Sequence, residues 1–115
     1  MPAATLSAPP GARRVLIIDD EPSVLRVIGL LLERHGFAVA SASNAREGLS
    51  LLAERGFDVV LTDIIMPELS GLDFLRELRQ HDLDVPVILM TGEPNVESAM
   101  RAVEYGAFRY LPEGR

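Results

Sequence analysis

The sequence contains no cysteine among its 115 residues. Disulfide bonds and thiolate zinc sites are therefore excluded. No apolar run approaches the roughly 20 residues needed to cross a bilayer, and the first residues lack the basic-then-apolar order of a signal peptide. We therefore expect a cytoplasmic protein that makes no use of the membrane.

The sequence has few positively charged residues: 11 Lys and Arg compared with 17 Asp and Glu, which gives a net charge of −6. An acidic domain repels the nucleic-acid backbone and gains nothing from counterion release. We therefore expect no nucleic-acid binding by this stretch itself. With 48 % hydrophobic and 24 % charged residues, the composition is that of one ordinary globular domain.

The chain divides into a short tail and one domain. Residues 1–12 carry Pro2, Pro9, Pro10 and Gly11 among small residues without a period, which predicts a flexible N-terminal tail. From residue 13 to residue 115, short apolar runs alternate with helical stretches. The runs predict five strands, at residues 15–18, 37–41, 59–62, 87–90 and 108–111.

Local signals mark the four helices between these strands. Pro22 suits the start of the first helix, and residues 44–47 and 70–73 resemble capping boxes at the second and third. His35 and His81 are expected near helix C-termini. Apolar residues at helical spacing mark the first and fourth helices: Val24, Ile28 and Leu31, widened by Leu25 and Leu32, and Val96, Met100 and Val103.

Strands alternating with helices predict an α/β fold with a parallel sheet. Five such strands fit a flavodoxin-like, doubly wound sheet of order 2-1-3-4-5, although periodicity alone does not establish the order. In that order the first and third strands are neighbours where the winding reverses, and ligands bind in the crevice at their carboxyl ends.

Polar side chains follow three of the predicted strands. The first runs into Asp19, Asp20 and Glu21, the third into Asp63, and the fourth into Thr91. Converging carboxylates repel one another unless a cation lies among them, and Mg²⁺ prefers such oxygen ligands. A carboxylate, a divalent cation and a hydroxyl donor together suit phosphoryl transfer to the carboxylate.

Each of these residues also has a structural explanation. Taken singly, Asp20 is more often a helix cap or turn residue, and Thr91 a hydroxyl that ends a strand. We expect Glu21 and Glu93 to be solvated rather than ligating. Met66 and Met100 are expected to serve packing, and the two histidines to have no catalytic role.

Four motifs occur in order: Val15–Glu21, Asp63–Pro67 followed by Gly71, Met90–Gly92 and Gly106–Leu111. Together they resemble the signatures of response regulator receiver domains of two-component systems, including chemotaxis regulators. The similarity covers residues 13–112. It implies a phosphoacceptor switch rather than an enzyme, which takes its phosphoryl group from a sensor histidine kinase or a phosphotransfer protein.

The resemblance also implies residue roles. Asp63 matches the phosphoacceptor, Asp20 the direct Mg²⁺ ligand, and Asp19 the acidic partner that holds metal-bound water. The backbone carbonyl of Ile65 matches the remaining protein ligand of the metal.

Two further positions match the family's switch. Thr91 matches the hydroxyl that bonds the phosphoryl group and moves on activation, and Tyr110 the aromatic residue coupled to it. Ile65 and Glu93 match the positions that flank the path of the water that hydrolyses the phosphoryl group.

The sequence departs from the family at its end. Glu113 and Gly114 occupy the places of a lysine and a proline, and a carboxylate repels the phosphoryl oxygens that an ammonium would neutralise. The fifth helix of the family has no counterpart in these residues, so we expect a C-terminally truncated receiver. The face left open favours a homodimer, with the family's surface on the fourth helix and fifth strand as the competing interface.

Two other classes of protein compete with this interpretation. A pseudo-receiver would share the fold but signal by protein contact without phosphorylation, and Glu113 is the feature in its favour. A haloacid dehalogenase-type phosphatase needs a second aspartate two residues after its nucleophile. Glu21 follows Asp19 at that spacing and Ile65 follows Asp63, so neither aspartate fits.

Overall fold

The computed structural model describes residues 4–5, 10–81 and 84–113. Within these residues one sheet is flanked by four helices. The strands are β1 Ala4–Thr5, β2 Arg14–Ile18, β3 Ala38–Ala42, β4 Val59–Asp63, β5 Val87–Thr91 and β6 Arg109–Pro112. The helices are α1 Pro22–Arg34, α2 Ala45–Glu54, α3 Gly71–Gln80 and α4 Val96–Glu104. None of the helices in the described part is long and apolar enough to span a membrane.

The sheet has the order β1-β3-β2-β4-β5-β6, and β2 to β6 run parallel. These five strands are the predicted ones, so the flavodoxin-like order 2-1-3-4-5 is confirmed. The two-residue β1 pairs antiparallel with β3 and was not predicted. Because residues 1–3 and 6–9 lie outside the described residues, the flexible tail stays a prediction.

The central strands are buried on both faces, which explains their continuous apolar runs. On one face of β2, Leu16 and Ile18 pack with the α3 residue Phe74 in the larger core cluster. On the other, Val15 and Ile17 contact α1. Packing on both faces therefore fixes β2, the strand whose carboxyl end leads into the site.

The predicted helix starts are confirmed by their hydrogen bonds. The Asn44 side chain accepts from the Glu47 amide at 2.8 Å, and Ser70 Oγ accepts from the Asp73 amide at 3.1 Å. Pro22 is the first residue of α1. His35 and His81 are the C-caps of α1 and α3, as the sequence indicated.

The apolar stripes of α1 and α4 differ from prediction. In α1 the residues that pack on the sheet are Leu25, Ile28 and Leu32, whereas Leu31 is 54 % exposed. In α4 only Ala102 is buried, and the predicted stripe lies outward, with Val96, Met100 and Val103 between 66 and 79 % exposed. The packing role expected for Met100 was therefore wrong, because α4 meets its neighbours through a small residue instead.

The face of the sheet that carries Val15 and Ile17 is covered by α1. Among the described helices only α1 packs on the Val15 and Ile17 side of the sheet, and none of its residues is fully buried. Val27 and Leu30 of α1 are more than half exposed. The open face and the homodimer expected from sequence both stay predictions.

Candidate functional site

The sheet register places the predicted carboxylates side by side. In the β2–β4 pair Ile18 lies opposite Thr62, and the next residues along the chain are Asp19 and Asp63. The Asp19 amide donates to the Ala42 carbonyl at 3.1 Å, so the ladder continues past the end of β2. Both aspartates are thereby fixed at the carboxyl edge of the sheet, where the winding reverses.

Three carboxylates meet at this edge. Asp19, Asp20 and Asp63 each offer an oxygen atom, and these atoms all lie within 4.8 Å of one another. Asp19 is buried, Asp63 partly buried and Asp20 exposed. The Glu21 amide donates to Asp19 Oδ1 at 2.9 Å, which orients that carboxylate. The donor set consists of hard oxygen atoms and is open to solvent on one side, which fits Mg²⁺.

The carboxylates destabilise one another's charged forms. Burial raises the pKa of Asp63 to about 6, with Asp19 as the next cause; Glu113 adds to the rise, and the Ile65 and Ile64 amides oppose it. Burial likewise raises the pKa of Asp19, and the neighbouring acids add to it. A divalent cation among these oxygens would favour their ionised forms.

Thr91 ends β5, the strand beside β4. Its side chain is buried, and Oγ1 accepts from the Glu93 amide at 3.0 Å. A hydroxyl that accepts one hydrogen bond can still donate another. Thr91 therefore lies at the same edge of the sheet as Asp63, and its hydroxyl can donate a hydrogen bond to a bound group.

Tyr110 is engaged with α4. Its hydroxyl lies 2.6 Å from Ser98 Oγ and accepts from the Asn95 amide at 3.2 Å. Neither Ser98 nor Asn95 was predicted from the sequence as a partner of Tyr110. Asn95 is the N-cap of α4 and accepts from the Ser98 amide at 2.8 Å, so an Asn-x-x-Ser at the helix start was the available signal.

Gly71 allows α3 to approach the site. Its amide donates to the Ile64 carbonyl at 2.8 Å, and a Cβ at this position would collide with the Asp63 carbonyl oxygen. The absence of a side chain is thus required by close backbone contact. The sequence placed Gly71 in a motif but did not indicate this close approach to the backbone of Asp63.

Five acidic residues line the cleft at the site together with Ile65 and Gly92: Asp20, Glu21, Asp63, Glu93 and Glu113. Ile65 is 51 % exposed. No arginine or histidine is among the described lining residues, and the sequence contains no lysine. The cleft is therefore strongly negative, which suits a cation and opposes a bare anion.

The chain was compared with known proteins. The response regulator receiver domain family matches residues 15–112. The regulatory protein AtoC of Escherichia coli is 45 % identical over 98 residues, which are 85 % of this chain and 21 % of that protein. The chain thus spans about a fifth of the length of this relative.

Solved receiver structures agree with this match. A receiver domain protein from Clostridium thermocellum is 41 % identical, with a TM-score of 0.83 over 90 % of this chain and 83 % of that chain. The response regulator TrrA of Thermotoga maritima, solved in complex with Mg²⁺ and BeF, is 29 % identical, with a TM-score of 0.80 over 89 % of this chain and 87 % of that chain.

The chain therefore belongs to the response regulator receiver domain family of two-component signal transduction. Members of this family are phosphoacceptor switch domains rather than classical enzymes, and they typically bind Mg²⁺ at an acidic pocket. They interact with histidine kinases or phosphotransfer proteins.

Proposed function

We propose that this domain accepts a phosphoryl group on Asp63, with Mg²⁺ bound beside it, and that phosphorylation switches an output module or partner. The donor is a phosphohistidine on a sensor histidine kinase or a phosphotransfer protein. The convergence of Asp19, Asp20 and Asp63 within 4.8 Å is the observation that carries the proposal. The Mg²⁺ and BeF complex of the related TrrA supports it.

The metal would be held by oxygen atoms of this chain. Asp20 and Asp63 are proposed as direct carboxylate ligands, together with the backbone carbonyl of Ile65. Asp19, which is buried and oriented by the Glu21 amide, is proposed to hold a metal-bound water. When bound, Mg²⁺ supplies positive charge that offsets the clustered carboxylates and the phosphoryl oxygens.

Asp63 is the nucleophile in this proposal. A carboxylate oxygen forms a bond to phosphorus while the bond from phosphorus to the imidazole nitrogen of the donor breaks. With a pKa of about 6 in the metal-free protein, Asp63 is largely ionised at neutral pH. The Thr91 hydroxyl donates to a phosphoryl oxygen, so the residues chiefly position the group and stabilise its charge.

The switch is proposed to run from Thr91 to Tyr110. Movement of the threonine towards the phosphoryl group would favour another rotamer of the tyrosine, at the expense of its contacts with Ser98 and Asn95. The surface of β5, α4 and β6 would report the change. Its exposed apolar residues on α4 are suited to a protein contact.

The pseudo-receiver is the competing function, and Glu113 is the residue that favours it. Beryllofluoride, a phosphoryl mimic, distinguishes the two. With Mg²⁺ present we expect it to shift amide NMR signals around Asp63, Thr91 and Tyr110, and we expect no shift in Asp63→Asn. Unchanged spectra in the folded wild-type domain at saturating Mg²⁺ would favour the pseudo-receiver.

A further inference from the structure

Glu113 is one of the residues that line the acidic cleft. Its backbone amide donates to the Thr91 carbonyl at 2.7 Å, which continues the β5–β6 pairing one residue beyond β6. Its Oε1 lies 3.5 Å from where a Cβ on Gly92 would be. The backbone bond fixes the residue at the carboxyl end of β5, and the carboxylate lies on the Gly92 side of the cleft.

Glu113 lines the same cleft as Asp20 and Asp63. It does not belong to the group of carboxylates whose oxygens lie within 4.8 Å of one another. Glu113 therefore acts on the site through its field, or through bound water, rather than as a fourth direct ligand.

A receiver with lysine in this place would have an ammonium to neutralise phosphoryl oxygens. Replacing that ammonium by a carboxylate changes the local charge by two units. Charges within a Debye length, about 8 Å at physiological salt, are incompletely screened. The same substitution attracts a divalent cation and repels an anion, so its effects on the two ligands have opposite signs.

We propose that Glu113 sets the balance between cation and anion binding at this site: it strengthens binding of a divalent cation and weakens binding of the phosphoryl group. The inference rests on the proposed function, since it concerns the same metal and the same phosphoryl group. The positive charge beside the phosphoryl group must then come from the bound metal, because none of the described cleft residues is an arginine or a histidine and the sequence contains no lysine.

The first test measures binding of Mn²⁺, used as a probe for Mg²⁺, from the EPR signal of the free ion at fixed ionic strength. We expect Glu113→Gln to weaken binding by about three- to tenfold and Glu113→Lys to weaken it further. Glu104→Gln removes an exposed carboxylate at the far end of α4 and should leave binding unchanged. Asp20→Asn tests the metal site independently of Glu113.

The outcomes separate the two proposals. If Asp20→Asn binds Mn²⁺ like the wild type, the proposed metal site is wrong. If Asp20→Asn weakens binding but Glu113→Gln does not, only the role of Glu113 is overturned. An equal loss in Glu113→Gln and Glu104→Gln would show a general charge effect and would also overturn it. Circular dichroism of each variant checks that the fold is retained.

The second test measures beryllofluoride binding by NMR with and without Mg²⁺. The wild type should bind the mimic only with the cation. Glu113→Lys should bind it more tightly at low Mg²⁺, by about tenfold, because the ammonium replaces part of the metal's charge. Identical Mg²⁺ dependence in the wild type and Glu113→Lys would contradict the proposal.

Discussion

The hydroxyl groups of Tyr110 and Ser98 lie 2.6 Å apart, so that β6 is joined to the first turn of α4. Tyr110 also accepts from the Asn95 amide, and Asn95 caps the same helix. The N-terminus of α4 and the side chain of Tyr110 are therefore coupled. Any movement of the tyrosine must break these contacts or carry the helix start with it.

Ser98→Ala should weaken the resting position of Tyr110. Loss of one hydrogen bond is worth about 1 kcal/mol, so we expect the beryllofluoride-bound state to become a few-fold easier to reach. Beryllofluoride titration followed by NMR measures this. Ser50→Ala, on the exposed side of α2, is the matched control. Equal affinities in both variants and the wild type would show that the Ser98 contact does not restrain the switch.

Gly71→Ala should destabilise the domain, because the new Cβ meets the backbone of Asp63 and Ile64 rather than a flexible side chain. We expect a loss of about 1 to 3 kcal/mol in the free energy of unfolding, measured with urea, together with weaker Mn²⁺ binding. Gly56→Ala, where a Cβ meets nothing within 4 Å, should lose neither. Equal stabilities for the two variants would contradict the close approach.

The metal-free protein should lose stability as the pH rises. The folded-state pKa of Asp63 is raised from 3.8 to about 6, so folding favours the protonated carboxyl. The stability that this group contributes is fully present below its unfolded pKa and is lost as the pH rises through about 6. Allowing for partial exposure, this amounts to roughly 1 to 2 kcal/mol.

Urea unfolding in EDTA between about pH 4 and pH 7.5 measures this effect. Asp63→Asn should be the more stable protein above pH 6, with an advantage that shrinks towards pH 4. Glu54→Gln, at the end of α2, should follow the wild type. A stability difference between Asp63→Asn and wild type that does not change with pH would refute the assignment of the raised pKa.

Ile65→Asn should shorten the lifetime of the phosphorylated protein. Ile65 lines the cleft and has no side-chain polar group to orient an attacking water, so the wild-type phosphoform should be long-lived. We expect hydrolysis to accelerate several-fold, followed as loss of phosphoprotein with time. Val27→Asn places the same side chain on exposed α1 as a control. An unaltered rate in Ile65→Asn would remove Ile65 from the path of the water.

Much of the fold was predictable, because short apolar runs and helix caps are local signals. The meeting of Asp19 with Asp63 followed once the sheet order was known, since parallel strands share a carboxyl edge. That order was taken from the flavodoxin-like fold that five alternating strands fit, since periodicity alone does not specify which strands are neighbours.

Other features depend on tertiary contacts that no local pattern encodes. Leu31 and Met100 have the helical spacing of core residues but lie outward, because the sheet covers only one side of each helix. The Ser98–Tyr110 contact joins residues twelve positions apart through a rotamer choice. The match of Glu113 to the lysine position was indicated by register, but the place of its carboxylate beside Gly92 needed the structure.

The most direct test of the proposed function is phosphorylation of the domain by a small-molecule phosphodonor with Mg²⁺, followed by intact-mass measurement and peptide mapping. We predict one phosphoryl group, on Asp63, that is labile to base. It should be absent in Asp63→Asn and in EDTA, and slow to form in Asp20→Asn. A phosphoryl group of the same stoichiometry in Asp63→Asn, or a folded wild-type domain that takes none at saturating Mg²⁺, would contradict the assignment of Asp63 as the phosphoacceptor.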